Sequence, residues 1–265
     1  MANVASQGGL FTGERLRAGD PLFRADLARH VFAYEYARRF AAEKIVLDAG
    51  CGDGYGTALL AEVAMRAVGV DREESVIALA RQRYQRENLE YHVCRLEELA
   101  TMQSKFDLIC HFQVIEHLPD PHPFLRAARR VLASGGCLLV TTPNRPMSRV
   151  ENPYHVREYA AEELVALLGE VFPRVEMFGV WGNERVMAFE EERVRHAQRI
   201  LRLDPFGLRR HLPRRVIEWA YPRLARIVRR QIGTQPGAVI QTSDFFVRAD
   251  TSRALDLLAI CHGDA

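Results

Sequence analysis

Short apolar segments alternate with helical segments between residues 44 and 142, and this alternation constrains the fold more than any other feature of the chain. The apolar segments have the length of strands and comprise residues 44–49, 67–71, 90–93, 106–112 and 137–142. Strands of this kind, separated by helices, form a parallel sheet that is covered on both faces. We therefore predict an α/β fold with a doubly wound sheet.

The two ends of the chain depart from this rhythm and divide it into four parts. Residues 1–42 are predicted to form an N-terminal segment with a capping helix, and residues 43–181 form the core. Residues 182–245 are helical and rich in arginine, and we interpret them as an insertion that covers the sheet as a lid. Residues 246–265 contain a final strand that is predicted to rejoin the core sheet.

The composition narrows the class of protein. A net charge of +2 argues against a general affinity for nucleic acid. The five cysteines lack the spacing of a metal site, and most lie in or beside apolar runs, as reduced core residues do. No apolar run approaches the roughly 18–20 residues that span a bilayer. We therefore expect a cytoplasmic protein.

The loop after the first predicted strand is rich in glycine and acid. Residues 46–56 read VLDAGCGDGYG and join a strand to a helix, the place where open α/β sheets bind nucleotide-like ligands. Glycine lets the backbone pass close to such a ligand. Asp71 ends the second predicted strand, at the position of the acid that bonds both ribose hydroxyls.

The charge of this loop separates two classes of cofactor. A dinucleotide would place a pyrophosphate at the helix N-terminus, where Asp48 and Asp53 would repel it. Tyr55 also takes the place of the third glycine in the dinucleotide spacing GxGxxG. S-adenosylmethionine has no phosphate, and its ammonium and sulfonium groups suit an acidic loop. The residues therefore favour S-adenosylmethionine as the cofactor.

Four segments, in this order, resemble the class I S-adenosylmethionine-dependent methyltransferases. They are VLDAGCGDGYG, VGVDREESVIALAR, KFDLICHFQVIEHLPDP and VLASGGCLLVTTPN. Within that family the chain is most similar to small bacterial enzymes of ubiquinone biosynthesis and of surface-glycan clusters. The resemblance extends from Phe40 to Val180 and includes the last strand. It implies a Rossmann-like, mostly parallel sheet of seven strands whose last strand is antiparallel.

The resemblance also implies roles for individual residues. Asp48, Gly50 and Gly52 would line the methionine end of the cofactor, and Asp71 would bind the ribose. The remaining cofactor-binding positions that it implies are Arg72 beside the adenine, Leu96 and Glu97 around it, and Phe112 and Gln113 beneath the methionine. Relatives often have an acid after the third strand that accepts the adenine amino group, whereas this chain has Arg95, which cannot accept that bond.

The first helix leaves two interpretations open. Together with Thr12-Gly13-Glu14-Arg15 it resembles the start of the glycan-cluster enzymes, which implies that it closes over the cofactor. Arg15 or Tyr34 would then bind the cofactor carboxylate. Alternatively, Tyr34 packs the helix on the sheet and Arg15 remains in solvent.

Methyl transfer to a hydroxyl or phenol benefits from a base, and histidine is suited to that role. Two histidines follow strands on the edge that carries the cofactor loop: His117, and His155 in the run NPYHVREY. We predict both as catalytic residues, although either could instead shape the pocket. The sequence shows no set of carboxylates for magnesium, so no metal is expected.

The arginine-rich insertion admits three interpretations. It could bind an acidic or sugar-phosphate substrate, lie on an anionic membrane through residues 213–230, or present a solvated basic face while its apolar stripe packs on the core. The basic patch lacks the interleaved aromatic residues that bind single-stranded nucleic acid. The sequence leaves the oligomeric state open.

The predicted function is methyl transfer to a small molecule or glycan, most readily at oxygen. A non-catalytic module that binds S-adenosylmethionine is the alternative from another class. An NAD-dependent oxidoreductase is the third hypothesis, and Asp48 and Tyr55 argue against it.

Overall fold

The computed structural model describes residues 24–148, 152–201 and 239–264. Arg15 and most of the arginine-rich insertion, including the predicted membrane-contacting residues 213–230, lie outside these ranges. Among the helices within them, none combines the length and apolar character that crossing a bilayer requires.

One mixed sheet forms the centre of the molecule. Its strands, in chain order, are β1 Ile45–Ala49, β2 Arg66–Asp71, β3 Leu89–Val93, β4 Phe106–Phe112, β5 Leu132–Pro143, β6 Arg174–Gly182, β7 Phe245–Arg248 and β8 Asp256–His262. Their spatial order is β3-β2-β1-β4-β5-β8-β6-β7. The first five strands pair in parallel. β8 runs antiparallel to both β5 and β6, and β7 antiparallel to β6.

Helices cover both faces of this sheet. They are α1 Arg24–Ala41, α2 Tyr55–Ala61, α3 Glu74–Arg83, α4 His122–Val131, α5 Ala161–Gly169 and α6 Glu184–Leu201. Tyr34 of α1, Leu60 of α2 and Ile77 of α3 belong to one apolar cluster, while Leu125 of α4 and Leu164 of α5 belong to another. Burial of these side chains against the sheet is the main force that stabilises the layers.

The predicted doubly wound α/β fold is confirmed, with one strand more than expected. Strand 106–112 and helix 74–83 have the predicted bounds. β7, residues 245–248, was not predicted, because four residues at the edge of a sheet carry too short a pattern to read. The predicted boundary at residue 245 falls on the first residue of this strand, so the sheet resumes before the final strand begins.

The strand order reverses between β1 and β4. β1 connects outward to β2, whereas β4 lies on its other side. The loops at the carboxyl ends of these strands therefore separate and leave a crevice, the usual ligand site of an open α/β sheet.

Candidate functional site

Three glycines shape the loop that follows β1. Gly50, Gly52 and Gly54 have φ angles of +93°, +51° and +83°, a region that side chains disfavour. A Cβ atom on Gly50 would lie 2.8 Å from Cγ2 of Val114, so the loop approaches the segment after β4 closely. A Cβ atom on Gly52 would meet no atom within 4 Å. The loop thus passes beside open space at Gly52.

Asp71, at the end of β2, is tied to this loop. Its Oδ2 accepts a hydrogen bond of 3.2 Å from the Gly52 amide, and its Oδ1 accepts one of 3.0 Å from the Glu73 amide. These bonds hold the carboxylate at the carboxyl edge of the sheet, beside the open side of the glycine loop. A carboxylate in that position can accept bonds from a pair of ribose hydroxyls.

Asp48 lies beneath the same loop and is almost fully buried, with 1% exposure. Its Oδ2 accepts a 2.7 Å bond from the Thr57 hydroxyl and its Oδ1 a 3.2 Å bond from the Tyr34 hydroxyl. Burial raises the pKa of Asp48 to about 7, although these two hydrogen bonds favour the charged form. A bound cation would favour ionisation of this carboxyl group.

The second acid of the loop has a different environment. Asp53 is 8% exposed, and its carboxylate lies 3.4 Å from the Arg83 guanidinium. Arg83 partly neutralises Asp53, so Asp48 and Asp71 carry the acidic character that the sequence assigned to Asp48 and Asp53.

The residues predicted around the adenine lie at the outer side of the crevice. Leu96 and Glu97 begin a short 3-10 helix after β3, and the Cys94 amide donates a 3.0 Å bond to the Asp71 carbonyl. Arg95, the residue that departs from the family pattern, donates a 2.7 Å bond to the Glu97 carboxylate. This bond uses one of the acceptor oxygens of Glu97. The Arg72 side chain is 74% exposed. These positions form an open rim.

Tyr34, Phe112 and Gln113 meet on the inner side of the crevice. The ring centroids of Tyr34 and Phe112 are 5.0 Å apart in an edge-to-face contact. Gln113 has a φ of +56°, and its backbone N–H donates a 2.8 Å bond to the Thr141 carbonyl. A left-handed non-glycine residue is typical of functional sites. The Tyr34 hydroxyl donates to Asp48, so Tyr34 contacts this carboxylate.

His117 and His155 are brought together, as the prediction of a shared site requires. Their ring centroids are 5.0 Å apart. His117 Nδ1 lies 3.2 Å from the Tyr154 carbonyl, and His155 Nδ1 lies 2.6 Å from Glu158 Oε1. Burial lowers the pKa of His117 to about 4, so this imidazole is neutral near pH 7.

A cavity of about 40 Å³ lies between α1 and the carboxyl ends of β4 and β5. Its polar lining consists of Asp26, Arg29, His30, Gln113, Thr141 and Asp256. About 10–15 Å³ of such space holds one water molecule, so the cavity has room for a few water-sized groups but not for a whole substrate.

Asp256 gives this cavity an unsatisfied acceptor. Its Oδ2 lies 3.4 Å from the Arg29 Nε atom, whereas its buried Oδ1 has no hydrogen-bond partner among the described residues. Burial raises the pKa of Asp256, and the Arg29 charge opposes that shift. A hydroxyl or amine that entered the cavity could donate to Oδ1.

Sequence reasoning missed Arg29, His30 and Asp256. Arg29 and His30 lie on a helix with ordinary amphipathic spacing, and Asp256 begins the last strand. Only the antiparallel pairing of β8 with β5 brings Asp256 opposite Pro143 at the carboxyl edge. Tyr55, which was read only as the residue that breaks the dinucleotide spacing, contacts the His30 ring through its hydroxyl.

Comparison with known proteins assigns the domain. Residues 47–140 match the family model of a methyltransferase domain. A probable S-adenosylmethionine-dependent methyltransferase of Mycolicibacterium smegmatis is 40% identical over 162 residues, which cover 59% of this chain and 62% of that protein. Residues 47–140 therefore form a methyltransferase domain, and the chain is similar to S-adenosylmethionine-dependent methyltransferases around it. The methyl donor of this family is S-adenosylmethionine.

One further relative and one solved structure are also similar to this chain. A ubiquinone biosynthesis O-methyltransferase of Pseudomonas aeruginosa is 32% identical over 155 residues, covering 54% of this chain and 64% of that protein. A methyltransferase structure from Thermotoga maritima has a TM-score of 0.57 at 14% identity and covers 91% of this chain and 92% of its own, which shows the shared fold. The chain spans 62–65% of the length of the mycobacterial relatives that it matches.

Proposed function

We propose that this protein transfers a methyl group from S-adenosylmethionine to an oxygen of a small molecule or glycan. The observation that carries the proposal is the bond between Asp71 and the Gly52 amide. This bond holds the Asp71 carboxylate, which would bind the ribose, beside a glycine loop that has a second acid, Asp48, buried beneath it. This arrangement attracts a cationic nucleoside without phosphate.

The sequence-predicted residues would divide between two parts of the cofactor. Asp48, Gly50, Gly52, Phe112 and Gln113 would surround the methionine end, and Tyr34 would hold Asp48 in place. Asp71 would bind the ribose hydroxyls, with the adenine resting on the outer rim formed by Arg72, Leu96 and Glu97.

The acceptor would approach from the side of α1. The cavity lined by Gln113 and Asp256 adjoins the proposed methionine end and has room for a small polar group of an acceptor. Asp256 Oδ1 would accept a hydrogen bond from an acceptor group held there. Positioning of this kind supplies most of the rate in methyl transfer, because the sulfonium is already activated.

His117 and His155 would act on the acceptor hydroxyl. A pKa of about 4 makes His117 a weak base at neutral pH. Glu158 holds Nδ1 of His155, and the Nε2 atom accepts a 2.8 Å bond from the Asn152 amide nitrogen. His155 would act as a direct base once the acceptor hydroxyl takes the place of that amide. The similarity to a ubiquinone biosynthesis O-methyltransferase supports oxygen as the acceptor atom.

The free cysteines support a reducing compartment. Among the described residues Cys51, Cys110 and Cys261 are buried as thiols, which agrees with the proposed cytoplasmic location.

A transfer assay tests this function. The full chain is incubated with ¹³C-methyl-labelled S-adenosylmethionine and a panel of phenols, hydroxy acids, sugars and amines. We expect labelled methyl ethers, and a loss of about 100-fold or more in turnover for His155→Gln. His122→Gln, which changes an exposed histidine, is the matched control and should retain turnover.

Two outcomes would contradict the proposal. Labelled amines without labelled ethers would move the acceptor from oxygen to nitrogen. Binding of S-adenosylmethionine with no transfer to any member of the panel would favour a non-catalytic binding module.

A further inference from the structure

Glu116, His117 and His155 form a compact cluster at the carboxyl edge of the sheet. One ligand atom from each residue lies within 4.8 Å of the others. Glu116 and His117 follow β4, whereas His155 comes from the loop after β5. Two separate loops therefore deliver two imidazoles and one carboxylate to the same point.

Both imidazoles are oriented through Nδ1. His117 Nδ1 lies 3.2 Å from the Tyr154 carbonyl, and His155 Nδ1 lies 2.6 Å from Glu158 Oε1. Each acceptor fixes the proton on Nδ1 and directs the lone pair to Nε2. Metal-binding histidines are held in this way, with the second ring nitrogen donating to a carboxylate or a backbone carbonyl.

The lone pair of His155 already faces a donor. Its Nε2 lies 2.8 Å from the Asn152 amide nitrogen, so this atom acts as an acceptor in the structure. An ion could replace that amide as the partner of the lone pair, with a rotation of the Asn152 side chain.

Glu116 brings a buried carboxyl group to the cluster. Its side chain is 1% exposed, and its Oε2 accepts a 2.9 Å bond from the Thr142 hydroxyl. Among the described residues no lysine or arginine forms an ion pair with Glu116. A buried carboxylate of this kind is stabilised by a bound cation.

We propose that Glu116, His117 and His155 bind one divalent transition-metal ion, of the class of Zn²⁺ or Mn²⁺. Two nitrogens and one carboxylate suit such an ion better than Mg²⁺ or Ca²⁺, which prefer oxygen ligands. Bonds of about 2.1 Å hold two ligand atoms at most about 4.2 Å apart. Small side-chain rotations would close the cluster to that size.

The sequence-based expectation of no metal considered carboxylates alone. The ligand set in the structure is mainly nitrogen, and His155 lies 38 positions after His117 in the chain. The sequence predicts both histidines at one edge of the sheet, but only the folded loops bring Glu116 into the same cluster.

Metal binding itself is independent of the proposed methyl transfer, whereas the following role rests on it. Three protein ligands would leave positions open for an acceptor hydroxyl, whose coordinated oxygen would give up its proton more easily, in this case to solvent water. The ion would use the Nε2 lone pair of His155, so coordination and the direct-base role of this residue exclude each other.

Titration calorimetry on the full chain, stripped of metal with a chelator, tests the site. We expect saturable binding of one Zn²⁺ per chain, with Mn²⁺ binding followed by electron paramagnetic resonance. Glu158→Gln, which removes an outer carboxylate, should weaken Zn²⁺ binding about 10–100-fold. Glu116→Gln should weaken it further, because a direct ligand is lost.

His122→Gln is the matched control. His122 also lies beside two carboxylates, at 2.7 Å from Asp120 and 3.1 Å from Glu170, but it is exposed. Zn²⁺ affinity should change less than about twofold in this variant, since exposed ion pairs contribute little. Circular dichroism melts show whether each variant is folded.

The proposal is overturned if the stripped, folded chain binds no Zn²⁺ saturably, or if Glu116→Gln, Glu158→Gln and His122→Gln all bind it equally. S-adenosylhomocysteine titrated into the same samples keeps this result separate from the proposed function. Zn²⁺ binding without S-adenosylhomocysteine binding would contradict the proposed function and leave the metal site in place. Binding of S-adenosylhomocysteine without binding of Zn²⁺ would contradict the metal site alone.

Discussion

The crevice has two sides, and they are assembled in different ways. The centre of the proposed cofactor side is formed by Asp48, Gly50, Gly52 and Asp71, which lie within one β-α-β segment. The proposed acceptor side would draw on α1, the loops after β4 and β5, and the start of β8: Arg29, Glu116, His117, His155 and Asp256. The first side is local in sequence, and the second exists only after the whole sheet has formed.

The two sides also differ in how their acids are satisfied. Both carboxylate oxygens of Asp71 accept hydrogen bonds from backbone amides. Both oxygens of Asp48 accept hydrogen bonds from side-chain hydroxyls. Asp256 Oδ1, by contrast, has no partner among the described residues although it is buried. A buried acceptor without a partner is costly. The cofactor side is thus preorganised, whereas the acceptor side retains bonding capacity for a ligand.

The largest expected effect is on cofactor affinity, and it compares one carboxylate from each side of the crevice. Asp71→Ala should weaken S-adenosylhomocysteine binding about 100-fold or more, because hydrogen bonds to a charged group contribute about 1.5–3 kcal/mol each. Asp256→Asn, on the acceptor side, should change that affinity less than twofold. Isothermal titration calorimetry measures both, and equal losses in the two variants would remove the distinction.

The next effect concerns how α1 is held against the cofactor side. A Cβ atom on Gly56 would overlap the Tyr34 ring, so Gly56→Ala should lower the free energy of unfolding by about 1–3 kcal/mol through overpacking. Gly169→Ala is the control, because nothing lies within 4 Å of its Cβ position. Urea denaturation measures both variants. Equal stability of the two would show that α1 does not pack on Gly56 as described.

A smaller effect follows from the pKa of Asp48, which burial raises to about 7. S-adenosylmethionine, as a cation, favours the ionised carboxylate, so its binding releases a proton and its affinity rises with pH up to about 7. One pH unit below the pKa, the affinity should be lower by up to about tenfold. In Asp48→Asn the profile from pH 5 to 7 should be flat, and an unchanged slope would assign the titration to another group.

The raised pKa of Asp48 also makes stability depend on pH, in the opposite direction to cofactor affinity. Folded Asp48 binds its proton more tightly than the unfolded chain does, for which the ordinary value is 3.8. Its contribution to the free energy of unfolding is therefore full below about pH 4 and falls as the pH rises toward 7. Chemical denaturation of Asp48→Asn and the natural chain at pH 5 and 7 compares the two slopes.

The smallest effect tests whether Asp53 belongs to the acidic surface. Removal of its partner in Arg83→Gln should raise the affinity for S-adenosylmethionine by no more than about threefold, because the pair is partly exposed and screened. A rise of tenfold or more would mean that Arg83 shields a ligand-facing charge.

The contrast between the sides explains what the sequence could predict. The parallel strands and the glycine loop were predicted because apolar periodicity and loop spacing are local properties. The pairing of Asp256 with Arg29 depends on the register of β8 and on the docking of α1, which no short window contains. β7 was missed because it is too short. His117 and His155 were both predicted at this edge of the sheet, whereas Glu116 was not joined to them, because its contact with His155 depends on the fold of two distant loops.

Competition between two cofactors tests the central claim most directly. Calorimetry of the natural chain at pH 7.5 should show saturable binding of one S-adenosylmethionine per chain and no measurable binding of NAD⁺. NAD⁺ binding as tight as that of S-adenosylmethionine would contradict the claim that the acids at Asp48 and Asp71 select a cationic nucleoside without phosphate.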